Sequence, residues 1–369
     1  MSKYLLTLIR WIVGGLFIFS GMIKVNDPVG TAIKLEEYFD VFSYDISPLF
    51  AHLKSISLPL SVFLVVLEVV LGVMLILGVK TRLTVILLGL MIVFFTFLTF
   101  FSAYFNKVTD CGCFGDAIKL TPWESFYKDL GLLILIGILF FFLKDLPKKS
   151  AGWKQIIVVF TLLGSLTLAV LAIRNLPFID FRAYKEGVHI PSAMQPSEQL
   201  QYDYVMKKDG DEFIFDQYPA DESYEFVEMK LKNPEALPKI SDFSVWNESG
   251  EYTEEILAGN QVLILINNLQ KISPNNLEAI QRLVSDLNNV EISASVVAAS
   301  SEEEIRQFVI TQNWPVETYL ADATVVKTII RANPGIMLLK DGIILKKFHH
   351  NNTPSVEEVK AYFNDANAL

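Results

Sequence analysis

The sequence predicts a multi-pass α-helical membrane bundle of about five transmembrane helices, then a small β-rich connector and a C-terminal α/β domain. Three observations carry this expectation. Hydrophobic residues make up 52% of the 369, with the apolar runs gathered in the first half. Five of those runs approach the roughly 20 apolar residues that a bilayer core demands. Charge divides at the same place: residues 1–174 hold 15 Lys/Arg against 11 Asp/Glu, and residues 175–369 hold 16 against 30. The acidic second half lacks the basic face that phosphate binding needs, which excludes nucleic acid as a partner class and leaves membrane lipid as the first one.

The five runs are residues 5–23, 56–77, 83–104, 126–143 and 155–173. The first carries Arg10 near its start, is longer than a signal-peptide core and lacks a small-x-small cleavage pattern after it, so it reads as a retained anchor. With five spans, Lys3 and Arg10, Lys80 and Arg82, and Lys144, Lys148, Lys149 and Lys154 all fall on one side. The positive-inside rule makes that side the cytoplasm. The loops 24–55 and 105–125, and everything after Arg174, then face outward. Glu68 lies inside the second run, where a carboxylate is costly. It reads first as a helix–helix hydrogen bond, with a polar cavity or a proton-linked role as the alternative. Gly14, Gly15, Gly72 and Gly89 permit close helix packing. Residues 31–42 place Ile33, Leu35, Tyr38, Phe39 and Phe42 among Lys34, Glu36, Glu37 and Asp40, the pattern of an interfacial amphipathic helix.

The chain has two cysteines, Cys111 and Cys113, in the run Asp110-Cys111-Gly112-Cys113-Phe114-Gly115-Asp116 of the short loop after the third span. A chain without other thiols suits an oxidising compartment. Gly112 and Gly115 allow the tight turn that residues two apart need to come within disulfide range. So small a ring is often strained, which makes the bond exchangeable. Three readings compete: reversible dithiol–disulfide chemistry, an inert disulfide that stabilises the loop, and metal binding, for which two cysteines are half a zinc site with no His nearby in sequence.

These residues also carry a resemblance. Phe19-Ser20-Gly21-Met22-Ile23-Lys24-Val25-Asn26-Asp27-Pro28 resembles the end of helix one in the DoxX family. Glu68-Val69-Val70-Leu71-Gly72 and Leu77-Gly78-Val79-Lys80-Thr81-Arg82 resemble its second helix and cytoplasmic turn. Cys111-Gly112-Cys113-Phe114-Gly115 is similar to the Cys-x-Cys-Phe-Gly of the MauE branch, redox-associated membrane proteins named for methylamine utilisation. The resemblance covers residues 5–145, a four-helix unit. It implies a role in disulfide or redox maturation of exported proteins, with Lys24, Asp27, Glu68, Gly112, Phe114 and Gly115 supporting the two cysteines. The fifth helix and the tail lie outside that unit.

In the outward half, residues 202–206 and 212–215 alternate like strands about the turn Lys208-Asp209-Gly210-Asp211, and 226–231 reads as a third. Residues 261–266 form a continuous apolar strand. A helix over 274–287 follows, with Ser273 as N-cap and Pro274 at its first position. A second buried strand spans 292–298. Ser300-Ser301-Glu302-Glu303 opens a helix as a capping box. Then come 317–320, a short helix near 323–331, strands 336–339 and 343–348 and a final helix 355–363. This order resembles the thioredoxin-like fold, as do Leu237-Pro238 with Phe243 and Gly250, and Asn333-Pro334-Gly335 at the place of its cis-proline loop. The redox Cys-x-x-Cys of that fold is replaced by Asn267-Asn268-Leu269-Gln270-Lys271-Ile272-Ser273-Pro274, so this domain cannot itself run disulfide exchange. His349 and His350, adjacent after a strand, point opposite ways and read as surface residues.

The organisation expected is thus a DoxX/MauE-like membrane domain (1–145), a fifth transmembrane helix (146–175), a β-rich connector (176–235) and a degenerate thioredoxin-like domain (236–369). The placement is the bacterial inner membrane, N-terminus cytoplasmic and C-terminal domain periplasmic. The expected function is a thiol–disulfide protein in which Cys111 and Cys113 act on an exported or periplasmic partner. The alternative is a non-enzymatic assembly subunit whose degenerate domain binds a protein. No cofactor is called for beyond the cysteine pair itself; a quinone is compatible with a membrane redox site, but nothing in the sequence demands it.

Overall fold

The computed structural model describes residues 2–108, 112, 114–147, 151–290 and 292–365. The chain divides into two compact units, Met1–Phe181 and Arg182–Leu369.

The first unit is helical: α1 (Lys3–Asn26), α2 (Pro28–Asp45), a 3₁₀ turn (Pro48–Ile56), α3 (Ser57–Leu77), α4 (Thr81–Phe105), α5 (Pro122–Phe141) and α6 (Gly152–Arg174). Among the described residues, four stretches are long and apolar enough to cross a membrane: Lys3–Asn26, Pro48–Leu77, Thr81–Phe105 and Gly152–Arg174. The remaining long apolar helix, α5, carries Glu124, Lys128 and Asp129 in its first turns, which shortens its apolar run. Polar backbone cannot stay unpaired in lipid, so helices are the form these runs must take.

Backbone-to-backbone packing of α1 on α3 sets the frame. A Cβ on Gly14 would sit 2.8 Å from the Gly72 carbonyl oxygen, and one on Gly72 would sit 2.8 Å from that of Gly14. A Cβ on Gly21 would sit 2.6 Å from Val69 Cγ2 and 3.0 Å from the Val69 backbone nitrogen. Glycines let the helices approach where no hydrophobic effect drives them together. The C-terminal carbonyls of α3 are then satisfied from outside the helix. Arg10 donates to the carbonyls of Leu75 (3.1 and 2.8 Å) and Ile76 (3.0 Å), and Lys154 of α6 donates to Leu77 at 2.9 Å. Both cations also complement the negative end of the helix dipole. Gly78 terminates α3 with φ +69°. On α6 only Ser165, Ala169 and Ala172 are buried, while Ile156, Phe160 and Leu163 are exposed, as suits a peripheral helix whose outer face meets lipid.

The amphipathic segment is α2. Asp27 caps it, its Oδ1 accepting from the Gly30 N–H at 2.8 Å, and Pro28 fills its first turn. Its apolar face does not rest on the rim alone: Tyr38 and Phe42 enter a cluster with Leu98, Phe101 and Val108.

The second unit holds α7 (Ile190–Ala193), β1 (Tyr202–Lys208), β2 (Asp211–Phe215), β3 (Glu225–Leu231), β4 (Trp246–Asn247), β5 (Gly250–Glu251), α8 (Thr253–Leu257), β6 (Asn260–Ile266), α9 (Leu277–Asn288), β7 (Ser293–Ala298), α10 (Glu302–Thr311), β8 (Glu317–Leu320), α11 (Ala323–Ile329), β9 (Gly335–Lys340), β10 (Ile343–His349) and α12 (Val356–Asp365). β1, β2 and β3 form an antiparallel sheet in the order β2-β1-β3, with the hairpin at Asp209-Gly210. The other strands form a seven-stranded mixed sheet, β10-β9-β6-β7-β8-β4-β5, in which β6, β7 and β8 run parallel. The apolar run of β6 lies inside it, between β9 and β7, with Val262, Ile264 and Ile266 fully buried among α9, α10 and α12.

Two local expectations shift and one is overturned. α9 begins at Leu277 behind Asn276 (φ +63°), not at Pro274. The Ser273 N–H is held by the Asn333 carbonyl, and its Oγ only closes a turn to Asn275. The capping box of α10 is Ser301 with Glu304, one residue later than Ser300 would give. His349 and His350 are not surface residues. The chain leaves β10 after His349 and enters a 3₁₀ turn, so strand alternation stops and both rings are buried, 4.0 Å apart. His350 Nδ1 lies 3.0 Å from the Pro334 carbonyl and therefore carries its proton, whereas His349 Nδ1 accepts from the Asn351 N–H.

Two outcomes follow. Gly72→Leu should abolish a monodisperse, folded chain in detergent, whereas Gly15→Leu, with nothing within 4 Å of its added Cβ, should leave it unchanged; size-exclusion profiles decide. Burial pushes the His350 imidazole below its usual value, outweighing the Pro334 hydrogen bond. The unfolded chain then binds the extra proton, so local stability is complete above the unfolded value near 6.5 and declines as the pH falls through the window beneath it. Amide protection of β9 and β10, corrected for intrinsic exchange, should fall between pH 7.5 and 5.5 and should stay level in His350→Gln.

Candidate polar cavity in the membrane unit

Glu68 lies roughly 16 Å along α3 from its first residue, at the α-helical rise. Its partner is Lys24, from the last turn of α1, with Nζ 2.8 and 3.1 Å from the two carboxylate oxygens. Both side chains are almost fully enclosed, at 7% and 4% exposure. The Lys24 ammonium also stands 4.7 Å from the centre of the Phe95 ring. An ion pair at this depth loses more in desolvation than a well-packed apolar pair would, so it is weak as a device for stability.

A second charged group approaches from α5. Asp129 is buried, accepts from Thr99 Oγ1 of α4 at 3.2 Å, and is 3.0 Å from the ammonium of its neighbour Lys128. Lys128 in turn lies 4.7 Å over the ring of Phe114. Tyr38 of α2 shares a 2.6 Å hydrogen bond with Ser102. Between these groups is a cavity of about 70 Å³. Its wall includes Lys24, Glu68, Lys128 and Asp129, with Phe95 and Leu132 among its apolar surfaces.

The loop between α4 and α5 meets this cavity through its described residues. Gly112 (φ +65°) and Phe114 both line it. Phe114 is buried and packs on Phe19 at 5.7 Å. A Cβ at Gly112 would crowd the Lys34 side chain of α2 at 3.3 Å as well as requiring a left-handed backbone. Gly115 (φ +52°) completes the turn. Cys111 and Cys113, the sequence's leading site residues, lie outside the described residues.

The structure thus brings Lys24, Glu68, Gly112 and Phe114 to one cavity, and gives Asp27 a helix-capping role. Asp129, Lys128 and Thr99 were not singled out by sequence reasoning, and Tyr38 and Lys34 entered it only as members of the amphipathic segment. The signal for Asp129 was present, a carboxylate in an otherwise apolar run, as it was for Glu68. Pro334 belongs to the other unit. There the Asn333–Pro334 bond is cis, and the Asn333 side chain accepts from the Asn267 N–H (3.0 Å) and donates to the Asn268 carbonyl (2.7 Å). This ties the loop before β9 to the end of β6.

Residues 2–142 match the family model described as methylamine utilisation protein MauE. The chain is also similar to Protein TlpB of Flavobacterium psychrophilum, 27% identical over 180 residues. That alignment spans 46% of this chain and 45% of the relative, so the chain covers less than half of that protein's length. No solved structure matches the chain.

Removing one member of the Lys24–Glu68 pair leaves an uncompensated buried charge, for which about 3–5 kcal/mol of destabilisation is expected. Glu68→Leu and Lys24→Met should each lower the thermal midpoint in detergent sharply. The double variant should recover most of the loss, and a double variant as unstable as the singles would contradict this account of the pair.

Proposed function

We propose that this chain is a membrane thiol–disulfide protein in which Cys111 and Cys113 cycle between dithiol and disulfide at the outer face of the membrane. The supporting observation is that Gly112, the residue between the two cysteines in sequence, lines an enclosed cavity built on a buried Lys–Glu pair. Such a polar centre costs stability in lipid and is characteristic of sites that handle ligands, protons or redox partners. The lysines facing this cavity, Lys24, Lys34 and Lys128, are each paired with a carboxylate, Glu68, Glu37 and Asp129 respectively, so the cavity is polar but near-neutral. The match to the MauE model over residues 2–142 fits the same reading.

The exchange balances within itself. A thiolate of the pair attacks a disulfide of an exported protein, forming a mixed disulfide and releasing one thiolate of that protein. The second cysteine then resolves it, leaving Cys111 and Cys113 joined and the partner reduced; the reverse sequence oxidises the partner. The α/β part of the second unit is read as a degenerate thioredoxin-like domain. Its parallel β6 and β7, antiparallel β9 and β10 and the cis-proline before β9 support that reading. With no cysteine at the end of β6, its role in this scheme is to dock the partner.

The absence of thiols from that unit also favours a second reading, in which the whole chain is an assembly subunit and the cysteine pair is inert. Rapid acid quenching, alkylation and mass spectrometry of the native chain separate the two. The redox reading expects both dithiol and disulfide forms, interconverting on addition of a reductant or a partner disulfide, and loss of function in Cys111→Ser, Cys113→Ser. A pair that never changes state, in a double variant that still functions, establishes the scaffold instead.

A further inference from the structure

We infer that a basic groove between the start of α4 and the turn after α5 binds the head group of an anionic phospholipid. The groove is at the end of α4 opposite the Gly112 loop and is independent of the thiol chemistry.

The groove has a volume of about 500 Å³, inside the range of about 300–1,000 Å³ usual for small-ligand sites. One wall is the start of α4, with Lys80, Arg82, Leu83 and Ile86, and the other is Leu143 and Pro147 beyond α5. Thr81 fastens the two walls together, its Oγ1 donating to the Pro147 carbonyl at 2.7 Å.

Charge selects an anion. Lys80 and Arg82 bring two positive charges to a lining that holds no carboxylate. Neither forms an ion pair among the described residues, in contrast to Lys24, Lys34 and Lys128. Lys80 is also held at φ +42°, a left-handed backbone that Gly or Asn adopts at lower cost. The chain thus accepts a conformational cost to place an ammonium there. Basic pockets between membrane helices are suited to acidic lipid head groups. A zwitterionic head group brings its own cation, which these two side chains repel.

Depth and shape select a lipid over a free phosphate. Arg10 and Lys154 reach the last carbonyls of α3, just before Lys80 in the chain. Their neighbours Trp11 and Trp153 are exposed, as is Tyr4. Exposed Trp and Tyr gather at the head-group level of a bilayer, so Lys80 and Arg82 stand where lipid phosphates are. From the groove, exposed Leu83, Ile86 and Leu90 follow one another at helical spacing along α4. That ridge is a track for an acyl chain. A free phosphate would meet the two cations and leave the track bare, whereas a phospholipid uses both.

The test titrates the full chain, delipidated in a non-ionic detergent, with palmitoyl-oleoyl phosphatidylglycerol and reads bound lipid by native mass spectrometry. Phosphatidylcholine with the same chains is the control lipid, and inorganic phosphate is the competitor. One phosphatidylglycerol is expected per chain, held at least fivefold more tightly than phosphatidylcholine and not displaced by excess phosphate. Arg82→Gln should weaken it about fivefold, the worth of one cation near a lipid surface. Lys3→Gln, which removes the same charge outside the groove, should leave it unchanged. Lys80→Asn should weaken it while the thermal midpoint in lipid-free detergent stays level or rises, and this variant decides if Arg82→Gln does not fold. Leu83→Trp, which fills the groove without changing charge, should also weaken it. Equal binding of the two lipids overturns the inference. Displacement by phosphate makes the groove a free-anion site and overturns the lipid assignment. Equal losses in Lys3→Gln and Arg82→Gln reduce the effect to diffuse charge and overturn the groove.

Discussion

Every charge placed at membrane depth must find its counter-charge inside the bundle, and in this protein that requirement organises the first unit. Lys24 and Glu68 can meet only because α1 and α3 approach through Gly14, Gly21 and Gly72. Arg10 meets the same demand at the other end of α3, where it caps the terminal carbonyls. Asp129 on α5 repeats it against Thr99 and Lys128. The polar groups do not sit in an indifferent scaffold: the helix packing is what makes them tolerable, and their pairing is what leaves an enclosed, near-neutral cavity.

That cavity gives the loop between α4 and α5 a physical context. Phe114 anchors the loop to the bundle through Phe19 and Lys128, and Gly112 and Gly115 provide the turn around it. A Cys-x-Cys sequence in a water-exposed loop would exchange electrons only with what diffuses to it. In the proposed function, Cys111 and Cys113 of that loop exchange with an exported protein, while its described residues Gly112 and Phe114 line the cavity.

Much of this architecture was legible in the sequence, for identifiable reasons. The long helices announced themselves through apolar runs that lipid forces into helical form. β6 was marked by an unbroken apolar stretch, and the β1–β2 hairpin by Asp209-Gly210. The Asn333–Pro334 bond was expected to be cis from its resemblance to a known loop, and it is. What the sequence concealed depended on tertiary contacts. The partner of Glu68 lies 44 residues away on another helix, and no local pattern could name it. The start of α9 moved because the Asn333 loop claims the backbone of Ser273. The burial of His349 and His350 arises where β10 breaks into a 3₁₀ turn, which periodicity, applied as if the strand continued, cannot foresee.

Thiol exchange with exported proteins requires the thiols to lie outside the cytosolic face and open to aqueous partners. Labelling with a membrane-impermeant maleimide in intact spheroplasts, after mild reduction, measures this directly. Cys111 and Cys113 are expected to be modified without disrupting the membrane. Modification only after the membrane is opened would place the loop on the opposite side and contradict both the orientation and the chemistry built on it.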